Sequence, residues 1–144
     1  MDHVVYLEAK ANELERLLSG EKTMIVRGAS GRKMPYGRVH EGDVVYLLNN
    51  NAEGMVRARA MVSMVHQTEA LTPAASAHFV QKHQPALKLT DAQQKRWAGK
   101  RYLILIELCA IEELPPFMID KSAYGNMDDW LPVGDIATVQ YTAP

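Results

Sequence analysis

Two cations frame one short apolar run. In "SGEKTMIVRG", residues 19–28, Lys22 opens the run and Arg27 closes it. A strand of period two puts Thr23, Ile25 and Arg27 on one face, and Met24 and Val26 on the other. The two charges either mark the ends of a buried strand or reach into a cleft to bind something negative or polar. Their surroundings bear on the choice. Lys22, Arg27, Arg32, Lys33, Arg38, Arg57 and Arg59 fall within residues 21–59, against Glu21, Glu41, Asp43 and Glu53 as the acids. This local positive excess lies in a chain of net charge −1 and pI near 6.5. Such a balance argues against a dedicated binder of duplex DNA and leaves room for a basic cleft. An apolar floor ending in an arginine suits stacking and phosphate or carbonyl contact better than acid–base work. The candidate ligand-binding set is therefore Lys22, Thr23, Arg27 and Arg38, with Arg57 and Arg59 as backbone contacts. Trp97, Tyr102, Tyr124 and Trp130 either stack unpaired bases or anchor the core.

Other chemistries find little footing. His3, His40, His66, His78 and His83 are scattered, with no His-Glu-x-x-His motif and no cysteine pair, so no metal and no cofactor is expected. The serines lack a nucleophile-elbow context. Cys109 sits inside an apolar run and reads as a core thiol. Glu112-Glu113 and Asp128-Asp129 are adjacent pairs that face opposite ways on a strand, so neither is a natural dyad.

The elements that must position these residues follow from periodicity. Residues 4–9 read as a first strand. Leu14, Leu17 and Leu18 give a helix, with Asn12 at its start and Gly20 at its stop. Residues 22–28 form a strand and residues 28–38 a Gly-rich basic loop, which lacks the Gly-Lys-Ser/Thr ending of a P-loop. A Gly-Asp turn feeds a strand over residues 44–48. In the next strand Val56, Ala58, Ala60, Val62 and Met64 point one way, and Arg57, Arg59, Met61 and Ser63 the other. Thr72-Pro73 starts a helix running to about His83, and Thr90 caps another that Gly99 stops. "RYLILIELCAIEEL" is the strongest strand signal, ended by Pro115-Pro116. A last strand is expected over residues 136–141. Short connections between most strands predict a mixed or antiparallel sheet, closed or half closed, with helices at its margins.

The 144 residues, 47% of them hydrophobic, suit one domain with a real core. No apolar run approaches a membrane span, and the first residues lack the pattern of a signal peptide. With a single cysteine, the expectation is a cytoplasmic protein with no membrane partner.

"LLSGEKTMIVRG", then "VHEGDVVYLL", then "RARAMVSMV" resembles the ASCH family of the PUA-like superfamily. Gly20, Lys22, Thr23, Arg27, Gly42 and Asp43 carry the likeness, which spans about residues 5–110. It implies an α+β fold, a PUA-like pseudo-β-barrel of mixed and antiparallel strands with flanking helices. On that reading residues 1–144 form one domain, and residues 112–144 are a C-terminal extension packed on it. The resemblance also implies RNA, or a nucleotide-like ligand, as the partner of the basic cleft. A bacterial branch of the family hydrolyses the acetyl amide of N4-acetylcytidine with a Lys, a Thr three residues on, and a distant Glu. Lys22 matches the Lys, but the Thr position is Ile25. The alternatives are thus an amidohydrolase on a modified nucleoside, with Lys22 catalytic, or a protein-interaction domain anchored by "YGNMDDWLPV". Ile25 offers no hydroxyl, so no catalytic residue is assigned. Purified protein and Lys22→Ala should form no cytidine from N4-acetylcytidine. Turnover by wild type that Lys22→Ala abolishes would reverse this reading.

Overall fold

The computed structural model describes residues 1–120 and 129–141. Strand β1 (Asp2–Leu7) leads through a 3-10 turn (Ala9–Ala11) into helix α1 (Glu13–Ser19). Gly20, at φ +82°, ends that helix in a conformation a side chain resists. Strands β2 (Met24–Ala29), β3 (Val44–Asn49) and β4 (Met55–Gln67) follow. Then come α2 (Pro73–Lys82), the short α3 (Gln84–Leu87) and α4 (Asp91–Trp97). Thr72 caps α2, and Thr90 with Gln93 forms a capping box on α4. Strands β5 (Tyr102–Met118) and β6 (Trp130–Gly134) complete the sheet.

The six strands lie in the order β2-β5-β4-β3-β1-β6. The β1–β3 pair is parallel and the other pairs are antiparallel. The sheet curls into a half-barrel, so one core draws on all six strands: Ile25, Ile106, Ala60, Leu47, Val5 and Trp130 among others. Ala58 and Ala60 place short side chains on the concave face of β4, where the curl is filled from both sides. Leu14 and Leu17 of α1 pack against that interior. The opposite face of β2 and β5 carries Met24, Val26, Leu103 and Leu105, covered by Val80 of α2, Leu87 and Leu89. This double coverage is why "LILI" in β5 shows no alternation. No described helix is long and apolar enough to cross a membrane.

Several expectations need correction. Strand β5 continues through Pro115 and Pro116, because its register with β4 breaks between Val56 and Ala58 and the prolines sit where the ladder is already interrupted. A third irregularity in the same ladder, between Val62 and Met64, turns Met64 out to solvent instead of inward with Val62. Cys109 is exposed on the convex face, not in the core. The last strand is Trp130–Gly134, whereas Ile136–Thr138 is a 3-10 turn started by Asp135, whose carboxylate accepts from the Ala137 amide. Asn12 precedes α1 without a side-chain cap bond. Ser122, Tyr124, Asp128 and the first half of "YGNMDDWLPV" lie outside the described residues.

Two substitutions test this packing. Leu105, wholly buried between sheet and helices, should lose about 2–5 kcal/mol on change to Ala. At Gly28 a Cβ would stand 2.7 Å from Leu103 Cδ2 and 3.0 Å from the Tyr102 carbonyl oxygen. Gly28→Ala should therefore destabilise by about 1–3 kcal/mol through strand displacement. Urea unfolding of both variants reads these losses directly.

Candidate functional site

Curling brings β2 round to β1, but no strand ladder joins them; Arg27 spans the gap. Its guanidinium donates from Nη2 to the Tyr6 carbonyl of β1 at 2.9 Å, and from Nη1 to the Val26 carbonyl at 2.8 Å. Its Nε lies 3.1 Å from Asp129 Oδ2 in an ion pair. The side chain faces the same way as Ile25, as alternation requires, and Arg27 is only 7% exposed. One edge of this seam is aromatic. The guanidinium carbons of Arg27 and Arg96 lie 6.0 and 5.9 Å from the ring centre of Trp97. Arg96 is also ion-paired to Glu8. Beside this pair, Glu8, Lys10, Asn50, Asn51, Thr90 and Arg96 line an opening of about 720 Å³.

Lys22 is placed differently. It is 1% exposed, and its ammonium donates to the Leu87 carbonyl and lies 3.4 Å from Glu13 Oε2. Burial pulls the Lys22 ammonium below its ordinary value, while the Glu13 charge works to raise it. Glu13 in turn accepts from the Glu8 amide at 3.0 Å, so both members of the pair are further hydrogen-bonded. The sequence contained a signal for this partner: Glu13 stands four residues before Leu17 on the buried stripe of α1, and a carboxylate there demands a cation.

The remaining candidates disperse. Thr23 and Arg38 are exposed. Arg57 is held by two contacts to Glu53, and Arg59 pairs with Glu112 across the β4–β5 ladder. Since Ala58 and Ala60 face the core, both arginines lie on the convex side, away from the face that carries Arg27. The structure brings two of the aromatic candidates, Trp97 and Tyr102, beside cations and adds Glu8, Tyr36, Arg96 and Asp129, which spacing did not reveal. Trp97 and Asp129 meet Arg27, while Arg96 reaches the same ring and pairs with Glu8. Tyr36 and Tyr102 meet edge to face at 5.8 Å, with Arg32 beside both. Trp130 is a core anchor, 1% exposed. Among the described residues no group of three His, Cys, Asp or Glu side chains is arranged to hold a metal.

A buried polar chain fixes the β1–β6 edge. The Trp130 indole donates to His3 Nδ1 at 3.0 Å, and His3 Nε2 lies 2.8 Å from Asp43 Oδ2. An indole N–H can only donate, so Nδ1 is the acceptor and Nε2 carries the proton given to Asp43. Burial pushes the His3 imidazole below its ordinary value, against the pull of the Asp43 carboxylate. Burial alone would raise the Asp43 carboxyl; hydrogen bonds from His3 and the His40 amide outweigh it and hold the group low.

No family model matches the chain, and no curated protein matches it. Solved structures do. ASCH from Zymomonas mobilis is 14% identical, covers 97% of this chain and 96% of its own, and superposes with a TM-score of 0.66. A tyrosine-to-phenylalanine mutant of that protein gives the same identity and TM-score, over 97% of this chain and 99% of the other. A serine-to-alanine mutant is 15% identical over 89% and 82%, with a TM-score of 0.63. The chain has an ASCH-like fold, in agreement with the resemblance carried by residues 20–43.

Lys22→Met should destabilise by about 3–5 kcal/mol because it strands a buried Glu13 charge, and Glu13→Leu added to it should restore most of the loss. Chemical unfolding of the single and double variants decides. For His3 the direction follows from linkage. The unfolded imidazole takes up a proton near pH 6.5, the folded one only at lower pH. Below about pH 6.5 the unfolded chain therefore binds more protons, and stability falls as pH drops through the folded value. The melting temperature of wild type should decline over that window more steeply than that of His3→Gln.

Proposed function

We propose that the chain is a binding module for single-stranded RNA or a nucleotide-like ligand, engaged along the β1–β2 seam. The observation that carries this reading is Trp97 with two guanidinium groups at its ring. A flat π-surface stacks any unpaired base, and the exposed Arg96 beside it meets the phosphate that follows. Arg96, half-exposed beside the ring, is the cation that a ligand reaches; Arg27, buried and engaged by two carbonyls and Asp129, holds the seam beneath it, and Thr23 and Arg38 are exposed apart from the ring. Lys22 supports the site from beneath by fixing α1 and α3. Arg57 and Arg59, on the convex side, would contact only a strand long enough to wrap the sheet edge. The ASCH-like fold is compatible with such a module. The amidohydrolase alternative has less support: Lys22 is enclosed by Glu13 and Leu87, and Ile25 is wholly buried.

Anisotropy of a labelled single-stranded RNA tests the proposal. Binding should weaken as salt rises, because phosphate neutralisation releases counterions. Trp97→Leu should lose about tenfold or more, in line with one base stack. Arg96→Ala should also weaken binding, since α4 turns this arginine onto Trp97, and Arg59→Ala should change it much less. Absence of binding at low salt, or equal losses at Arg59 and Trp97, would overturn the assignment.

A further inference from the structure

A second cation–aromatic cluster lies beyond the seam. Arg32, from the loop after β2, places its guanidinium carbon 5.8 Å from the Tyr36 ring centre and 5.5 Å from that of Tyr102. Arg101 adds a third approach, 5.5 Å from Tyr102. The loop is fastened to the end of β4 and its continuation. The Tyr36 hydroxyl donates to the Thr68 carbonyl, and the Gly37 amide donates to the Gln67 side chain. Thr68 is fastened to β5 in its turn, its hydroxyl oxygen accepting from the Leu103 amide at 3.0 Å. Both rings are half-buried on a fixed base, while Arg32 stands 60% exposed with Glu69, itself 91% exposed, as its carboxylate neighbour at 3.6 Å. An ion pair so open to water holds Arg32 weakly.

This cluster is continuous with the first. The Lys100 amide donates to the Trp97 carbonyl at 3.2 Å, the Lys100 Cβ stands over Gly28, and Ala29 pairs with Tyr102. The chain from 97 to 102 thus joins two rings, with Lys100 and Arg101 between them.

Resting on the reading above, we propose that the ligand is a single strand of RNA of several nucleotides, whose second unstacked base is held at Arg32, Tyr36 and Tyr102. A mononucleotide satisfies the Trp97 station and leaves this one empty. A strand places one base at Trp97, its phosphates near Lys100 and Arg101, and a further base on the guanidinium plane and ring edges of the second cluster. The preorganised loop reduces the ordering that binding requires.

The test titrates the full chain with uridine monophosphate and with oligouridines of increasing length up to an octamer. Affinity should rise about tenfold or more along the series and then level off, as a second stack is gained. Arg32→Ala and Tyr102→Leu should abolish that gain and keep the affinity that Trp97 gives a mononucleotide; circular dichroism confirms that both fold. Trp97→Leu should lower affinity at every length. A flat length series with mononucleotide binding intact would overturn the second station and spare the seam. A length gain that persists in both Arg32→Ala and Tyr102→Leu would overturn it too. Failure of every ligand to bind would remove the seam reading itself.

Discussion

The fold depends on how a buried guanidinium closes a sheet that hydrogen bonds leave open. Strands β2 and β1 are four places apart in the sheet order, yet the curl brings them close. Strand β2 is one edge of the sheet, and the β6 ladder along β1 ends at Val5, short of the Tyr6 carbonyl. Burying such backbone groups unpaired is costly. Arg27 meets the need with a rigid fork that reaches two carbonyls and a carboxylate. A lysine offers a point charge and could not span the same acceptors in one plane. The Lys22–Glu13 pair acts alongside it, tying α1 to α3 at the start of β2.

That closure explains why the candidate site lies where it does. A fully laddered barrel would present side chains of alternating direction and a saturated backbone. A seam held by one arginine leaves polar groups, a cation and a neighbouring ring within reach of solvent. Without a side chain at Gly28, β2 lies against Leu103 and Lys100, so the residues after Trp97 run directly along the seam's end. Position along the closure line, more than local composition, assembles Trp97 with Arg27.

Much of this was legible in the chain itself. The caps at Thr72 and Thr90, the stop at Gly20, the strand signal of residues 101–114 and the facing of Ile25 with Arg27 follow from local rules that tertiary contacts did not override. Three features were not legible. Strand β5 runs past two prolines because the partner strand's register, which no local pattern encodes, has already broken. Met64 faces outward because of an irregularity between it and Val62. Arg27 and Trp97, like Arg32 and Tyr102, lie far apart in sequence, so their meeting depends on strand order. Basic residues in 21–59 marked a charge excess, but Arg57 and Arg59 went to the convex side by simple alternation, while Arg96 and Arg101 entered from the other half of the chain.

The strand order also governs how the molecule can assemble. β3, β4 and the antiparallel contact with β5 form a scaffold of neighbours in space, whereas β2 must wait for β5, about eighty residues later, before it has a partner. β1 finds β3 early but receives β6 only after β5 has been made. A chain emerging from the ribosome therefore carries β2, the strand of the seam, as an unpaired apolar segment until β5 has followed it. Loop-closure entropy makes such long-range pairings slow.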